Sequence, residues 1–411
     1  MSNYLGDYGE EPADPAPSIP HREVKAPKSH GAYKNKTVDY PSIETLEDNM
    51  PMSNEYPWAK TPLIVSAPMA KAATPKLAVA VSKAGGLGFI AAGYNSDNLE
   101  DLLEEAEKLL LQENTQDVRI ETETEDKDPK FLPIGVGFIT WSASLSKTLP
   151  CFSRYRPAAV WLFAPANGFK DLIPWANQIR KATAGKTRIW VQVGCVADAV
   201  EVVEAIDPDV IVVQGFDAGG HALAQGASII SLLPEISDKL REMRPDPTRR
   251  IDLVAAGGIS DSRGVLAAIA LGAQGCVLGT RFLASSECSV SDGYQKAILD
   301  ASDGGISTVR TTIYDKVRDI HGWPEGYDGR GLINKTYVDH VAGLSEINNG
   351  KLYREELNRE DGGHGTDGRL TTYAGTGVGL IKKFIPAGDI VKSLHEGINA
   401  ALHGRGNTSR L

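Results

Sequence analysis

Residues Arg188–Gly215, RIWVQVGCVADAVEVVEAIDPDVIVVQG, hold two apolar runs, Arg188–Gly194 and Val210–Gly215, on either side of a helical segment, Ala197–Ile206. Runs that are apolar at nearly every position, rather than every second one, are strands covered on both faces. Two such strands joined through a helix run parallel. The same unit recurs in both directions. Upstream lie Leu63–Met69 (LIVSAPM), Leu87–Gly93, Leu132–Ile139 (LPIGVGFI) and Ala158–Pro165 (AAVWLFAP). Downstream lie Asp252–Gly258 (DLVAAGG) and Gly275–Leu283 (GCVLGTRFL). Further helices are expected from Thr74-Pro75, with Thr as cap and Pro at the first position, over the acidic Asn98–Gln112, and over Arg263–Leu271. About eight strands across Leu63–Leu283 predict an α/β fold, a closed (β/α)8 TIM barrel of ordinary size. An open doubly wound sheet is the runner-up, but no GxGxxG follows the first strand.

Residues 61–285 are therefore assigned to the barrel and 1–60 to an N-terminal arm, partly flexible and rich in Pro, Glu and Asp at its start. After Leu283 the pattern degrades, and Ile320–Arg369 is rich in Gly, Asp and Asn. Residues 286–395 are read as a lid or helical/loop subdomain packed on the barrel, and 396–411 as a tail. One amphipathic helix is expected at Asp389–His403, with Ile390, Val391, Leu394, Ile398, Ala401 and Leu402 on one face.

Composition excludes several classes. With 42% hydrophobic and 23% charged residues the chain is neither disordered nor collagen-like. The net charge of −10 is concentrated in Asp101–Lys130, where eleven acidic residues face four basic ones. The rest is nearly neutral and has no basic patch for nucleic acid. No apolar stretch reaches the roughly 18 residues of a membrane helix, and the N-terminus has no apolar signal core. Cys151, Cys195, Cys276 and Cys288 lack CxxC or metal-ligand spacing, so no metal is expected and a reducing compartment fits. Cys195 and Cys276 read as buried small hydrophobes inside strand-like runs. The chain ends Ser409-Arg410-Leu411, a basic variant of the Ser-Lys-Leu address read by the peroxisomal import receptor, so the expected location is the peroxisome or the cytoplasm.

Glycine is in surplus, 42 of 411 residues. It collects where barrels bind ligands, at strand C-termini, with phosphate favoured after strands 7 and 8. There the chain reads Ala256-Gly257-Gly258-Ile259 and Leu278-Gly279-Thr280-Arg281. Such glycines let backbone N–H groups reach a phosphate, helped by a helix N-terminus and by the Thr280 hydroxyl. After strand 6 comes Gln214-Gly215-Phe216-Asp217-Ala218-Gly219-Gly220-His221. A histidine on a glycine-rich loop at the catalytic end is placed to act as a base near neutral pH. Asp217 is spaced either to orient it or to cap the next helix.

These elements, with Ser66-Ala67-Pro68-Met69, Ala80-Val81-Ser82-Lys83-Ala84-Gly85-Gly86-Leu87-Gly88, Gly279-Thr280-Arg281-Phe282 and Tyr373-Ala374-Gly375-Thr376-Gly377-Val378-Gly379, resemble the nitronate monooxygenases, FMN-dependent barrel enzymes once called 2-nitropropane dioxygenases. The likeness runs over roughly residues 60–395 in order, and extends to FMN-dependent enoyl-ACP reductases. It implies FMN, with Ala67, Pro68 and Met69 along the flavin, Gln214 bonded to the isoalloxazine, and Gly219 and Gly220 approaching through backbone. Gly257, Gly258, Gly279 and Thr280 would hold the phosphate. His221 would take the α-proton of a nitroalkane, and the nitronate would give an electron to FMN with O2 as final acceptor, yielding a carbonyl compound and nitrite. A homodimer is compatible with the resemblance. Departures are Asp217 where the family often has Glu, Lys71 where small residues are usual, and a longer Ile320–Arg369. Lys71 reads either as a solvated helix-start residue or as one that alters substrate entry.

Two other functions share this pattern. One is an FMN-dependent, NAD(P)H-using enoyl or quinone reductase. The other is a phosphate-binding barrel without redox chemistry, a binding protein or lyase. An IMP-dehydrogenase-like reaction would want a cysteine after strand 6, and Gly215–Gly226 contains none.

Overall fold

The structure, a computed structural model, describes residues 52–112, 130–244, 246, 250–359 and 363–402. The acidic loop, most of the N-terminal arm and Ser409–Leu411 lie outside them. The strands are β1 (Leu63–Ser66), β2 (Leu87–Ala91), β3 (Lys130–Ile139), β4 (Tyr155–Phe163), β5 (Arg188–Val193), β6 (Val210–Gln214), β7 (Gly220–Leu223), β8 (Asp252–Ala256), β9 (Gly275–Leu278), β10 (Thr308–Thr311) and β11 (Tyr327–Leu332). All but β7, β10 and β11 form a closed parallel barrel, sealed where Leu63–Ser66 pairs with Gly275–Leu278. The eight predicted strands are these eight. The last is shorter than expected, because Thr280–Leu283 is a helical turn rather than more strand.

Side chains fill the barrel. Phe89, Trp161 and Trp190 meet at its centre with Val65, Val212 and Val254 around them, and the Phe89 and Trp190 rings lie 5.2 Å apart. Residues 52–60 prove to be a plug on the N-terminal face rather than part of an arm. Met52 and Tyr56 are buried, and Trp190 Nε1 donates to the Tyr56 hydroxyl at 2.9 Å. The helix Leu99–Leu111 buries Leu99, Leu103, Ala106 and Leu110 and turns its acids outward. Cys276 is buried in β9. Cys195 instead caps the helix Val196–Ala205, its Sγ accepting from Asp198 N at 3.4 Å, so it is no strand residue.

The C-terminal helix corrects the expected boundary at residue 395. One helix, Ala387–Leu402, runs through it and buries Ile390, Val391, Leu394 and Ile398. It packs beside the helices Pro75–Lys83 and Ser262–Ala270, in the outer layer of the barrel. That apolar stripe needs a wall to cover it, and the barrel supplies one. The eighth barrel helix is thus parted from β9 by residues 279–386.

Within that excursion the glycine-rich 320–369 stretch contains a strand and two helices. β11 lies between β10 and β7 in an antiparallel three-stranded sheet, and helices Lys335–Val341 and Glu346–Leu357 follow. Its strand glycines answer to packing: a Cβ at Gly329 would stand 2.7 Å from the Tyr373 ring. Among the described residues no helix is long and apolar enough to cross a membrane, and no cluster could hold a metal ion.

Candidate active site

The C-terminal strand ends surround a cavity of about 650 Å³. All eleven residues singled out in the sequence line it: Ala67, Pro68, Met69, Gln214, Gly219, Gly220, His221, Gly257, Gly258, Gly279 and Thr280. The volume is that of a pocket for a ligand of drug or cofactor size.

The glycines are there for different reasons. Gly257 and Gly258 take φ of 106° and 76°, a left-handed backbone that disfavours a side chain. A Cβ at Gly219 would lie 2.5 Å from the backbone of Ala374, so this glycine lets two loops touch. At Gly279 a Cβ would meet nothing closer than Ala67 Cβ at 3.7 Å and Met69 Sδ at 3.8 Å. The space beside Gly279 is cavity. The expected helix-dipole contribution after β8 is already taken, since the Asp261 carboxylate accepts from Arg263 N and Gly264 N at the start of Ser262–Ala270.

Gln214 ends a relay of side-chain hydrogen bonds. Trp161 Nε1 donates to Gln192 Oε1 at 3.1 Å, Gln192 Nε2 to Gln214 Oε1 at 2.6 Å, and Gln214 Nε2 to the His221 carbonyl at 3.2 Å. Each amide is fixed by the one before it, so Gln214 meets the cavity pre-oriented. Thr280 Oγ1 accepts from Gly375 N at 3.0 Å, which leaves its own proton free to donate.

His221 is not on a loop. It sits in β7, paired with Gly329 of β11. Its Nε2 lies 2.7 Å from Asp315 Oδ2. Its ring stacks on Trp323 at 3.7 Å and 8°, and meets Tyr373 edge-on at 5.4 Å. The Asp315 Oδ1 accepts from Arg318 Nη2 at 2.9 Å and from the Tyr373 hydroxyl at 3.1 Å. Burial pulls the His221 pKa below its ordinary value, and the bond to Asp315 only partly offsets this. Burial also pushes the Asp315 carboxyl up, but the bond from His221, the charge of Arg318 and the Tyr373 hydroxyl outweigh it and hold it ionised.

Asp217 neither orients His221 nor caps a helix. Its Oδ1 accepts from Thr376 Oγ1 at 2.9 Å, and its carbonyl accepts from Thr376 N at 3.0 Å, tying the β6–β7 loop to the Tyr373–Gly379 segment. Arg310 of β10 holds that loop from the other side. It donates to four carbonyls, those of Gly220, Asp328, Phe216 and Ala218, at 2.7–3.2 Å. Lys71 lines the cavity with φ 65° and is exposed, and since the helix opens at Pro75 it is no helix-start residue.

Sequence reasoning missed Asp315, Arg318, Trp323 and Arg310, and quoted Tyr373 without a role. One sign was present: Asp315 and Arg318 are three apart among Ile313, Tyr314 and Val317, which are all buried. Charges set inside an apolar run usually pair with something.

Comparison with known proteins points to one family. The sequence model of the family described as nitronate monooxygenase matches residues 56–115 and 169–397. A nitronate monooxygenase of Metarhizium robertsii is 43% identical over 353 residues, 85% of this chain and 95% of that one. One from Neurospora crassa is 40% identical over 362 residues, 84% of this chain and 91% of that one. Among solved structures, FabK from Thermotoga maritima aligns with a TM-score of 0.62 at 23% identity, covering 87% of this chain and 98% of its own. A nitroalkane oxidase from Streptomyces ansochromogenes aligns with a TM-score of 0.62 at 22% identity, covering 86% and 99%. At those identities the two structures speak for the barrel alone.

Proposed function

The chain belongs to the nitronate monooxygenase family, and from that premise we propose that it is a flavin oxidoreductase that converts nitronates, and nitroalkanes after deprotonation, to carbonyl compounds and nitrite with O2. One observation carries the reading: a histidine, a pre-oriented amide and a glycine cradle converge on one cavity at the catalytic end of the barrel.

The family implies a flavin, and the cavity fits FMN. Its volume suffices, its walls at Ala67, Pro68 and Met69 are apolar, and a side chain at Gly279 would fill the space a phosphate needs. Gly257, Gly258, Gly279 and Thr280 would hold the phosphate, Gly219 and Gly220 would lie against the ring system, and Gln214 would bond to it. The bound flavin supplies the electron acceptor for the nitronate and the route onward to O2.

The protein's own work is to bind, orient and deprotonate. Burial keeps the His221 ring neutral at neutral pH, so it meets a nitroalkane as a free base. A preformed nitronate needs only binding, because its proton has already gone. Peroxisomal import through Ser409-Arg410-Leu411 is part of the proposal, consistent with an O2-consuming reaction. Masking those residues in a fluorescent fusion would abolish it.

The test is anaerobic flavin reduction in the reconstituted protein. Alkyl nitronates or propionate 3-nitronate should bleach the flavin and NAD(P)H should not. Rapid reduction by NAD(P)H alone would move the chain to the reductase reading. His221→Asn should lose turnover of neutral nitroalkane and keep much of that on nitronate, and equal activity on both would sink the base assignment.

A further inference from the structure

We propose that Asp315 is a positioning residue that locks His221 in the tautomer with its proton on Nε2, so that the bare lone pair on Nδ1 faces the cavity and receives the substrate proton. This rests on the reading of His221 as the base.

The geometry allows little else. Asp315 Oδ2 is 2.7 Å from Nε2, and its carboxylate is ionised, so it only accepts and Nε2 must carry the proton. A neutral imidazole then has its lone pair on Nδ1. Among the described residues Nδ1 has no hydrogen-bond partner, and it is not one of the buried unpaired nitrogens, so it opens on the cavity that His221 lines. The ring cannot flip freely, because Trp323 covers one face at 3.7 Å and the Tyr373 edge stands against it. Asp315 is itself held, with Oδ1 occupied by Arg318 and Tyr373 and Oδ2 left for His221.

The proton transfer balances without any further reactant. The α-C–H bond breaks, and its electron pair forms the C=N bond of the nitronate while an N=O π pair moves onto a nitro oxygen. The proton bonds to Nδ1. Nε2 keeps its own proton, and Asp315 takes none, so the imidazolium rests between a carboxylate and an indole face. Other charges face this ring: Arg318 and Arg310 oppose the cation, and Asp328 of β11 favours it. Tyr373 is buried with its pKa far above the ordinary value and stays neutral.

The test compares kcat/KM for nitroethane and for ethylnitronate across pH in holoenzyme of measured flavin content. Asp315→Asn offers Nε2 either a donor or an acceptor, so both tautomers become available. Nitroethane turnover should fall by about 100-fold or more, in the range general-base catalysis contributes, with its pH profile displaced and ethylnitronate turnover unchanged. Asp315→Glu should recover part of the loss. An equal fall on both substrates would mark Asp315 as merely structural and overturn the proposal. Nitrogen NMR of the wild-type His221 ring decides the matter even where a variant fails to fold. A protonated Nε2 and bare Nδ1 are expected, and a protonated Nδ1 overturns it. Loss in His221→Asn but none in Asp315→Asn overturns this proposal alone, whereas undiminished nitroethane turnover in His221→Asn overturns the base reading with it.

Discussion

Gly279→Ala separates a glycine needed by the fold from one needed by a ligand. Gly279 has φ −100° and ψ −74°, a conformation open to any residue, and an added Cβ meets only Ala67 Cβ at 3.7 Å and Met69 Sδ at 3.8 Å, ordinary contacts. The flavin-free protein should therefore fold as well as wild type, gaining about 0.4–1 kcal/mol from a less flexible unfolded chain. If the phosphate of FMN lies against this backbone, the methyl group takes its place. Losing one hydrogen bond to a charged oxygen costs about 1.5–3 kcal/mol, which raises Kd about 10- to 150-fold. The assay is titration of flavin-free protein with FMN and, in parallel, with riboflavin, which lacks the phosphate. Weakened FMN binding with unchanged riboflavin binding is expected, alongside an undiminished melting temperature. Unchanged FMN affinity would refute the phosphate cradle, and equal weakening of both ligands would move the ring system, not the phosphate, to Gly279.

Arg310→Met should destabilise the flavin-free protein by about 2–4 kcal/mol in urea unfolding, since four carbonyls lose a charged donor. Burial lowers the Arg310 pKa to about 10, still charged at neutral pH, so Arg310→Lys keeps the charge but cannot span four carbonyls and should lose most of the same stability. A cost below about 1 kcal/mol would mean that Thr376 and Asp217 alone hold the β6–β7 loop. Asp252, at the start of β8, is half-buried with its pKa raised from 3.8 to about 6 by desolvation, which Arg250 and Arg188 only partly relieve. The folded state then binds that proton more tightly than the unfolded one, so stability falls as pH rises from about 4 to 6 and stays lower above. Asp252→Asn should stabilise at pH 8 by an amount on the order of 2–3 kcal/mol and gain nothing below pH 4; a pH-independent gain would refute the desolvation account.

The barrel was readable because each strand is apolar on nearly every residue, a pattern only a sheet buried on both faces imposes. The cavity lining was readable for a related reason: Gly257, Gly258, Gly279 and Thr280 each sit within two residues of a strand end, so knowing the strands located them. The surroundings of His221 were not. Asp315 is 94 residues away in sequence, and nothing local links them. Asp217, four residues from His221, was the obvious orienting carboxylate on spacing, yet it is turned to Thr376, 159 residues away. The Ile320–Arg369 composition did not reveal the strand it contains. Two of its glycines, Gly329 and Gly331, lie in β11, where the Tyr373 ring and the Thr372 carbonyl need the room. Glycine marks a loop and a crowded strand alike, and composition does not tell them apart.

The placement of these groups divides the work between two parts of the chain. Most of the residues that would hold the cofactor come from strand ends of the barrel or the loops that directly follow them, and Gln214 is set by the Trp161–Gln192–Gln214 relay inside the barrel. Gly279 and Thr280 open the excursion, Thr280 accepts from Gly375 N, and Gly219 lies against Ala374. Everything that surrounds the His221 ring, namely Asp315, Arg318, Trp323 and Tyr373, comes from residues 279–386, the excursion between β9 and the eighth barrel helix. The two parts meet at β7, which leaves the barrel after β6, pairs with β11 and carries His221 between them. A barrel closed on both sides of the excursion does not depend on it for closure. Changes at Asp315, Arg318 and Trp323 can alter the surroundings of His221 without touching a residue proposed to hold the flavin, whereas Arg310, Ala374 and Gly375 also brace Gly219, Gly220 and Thr280. On this arrangement, substitutions at Trp323 should shift the preference between nitroalkanes and nitronates without changing FMN affinity. Loss of FMN binding in such variants would show that the two parts are not separable.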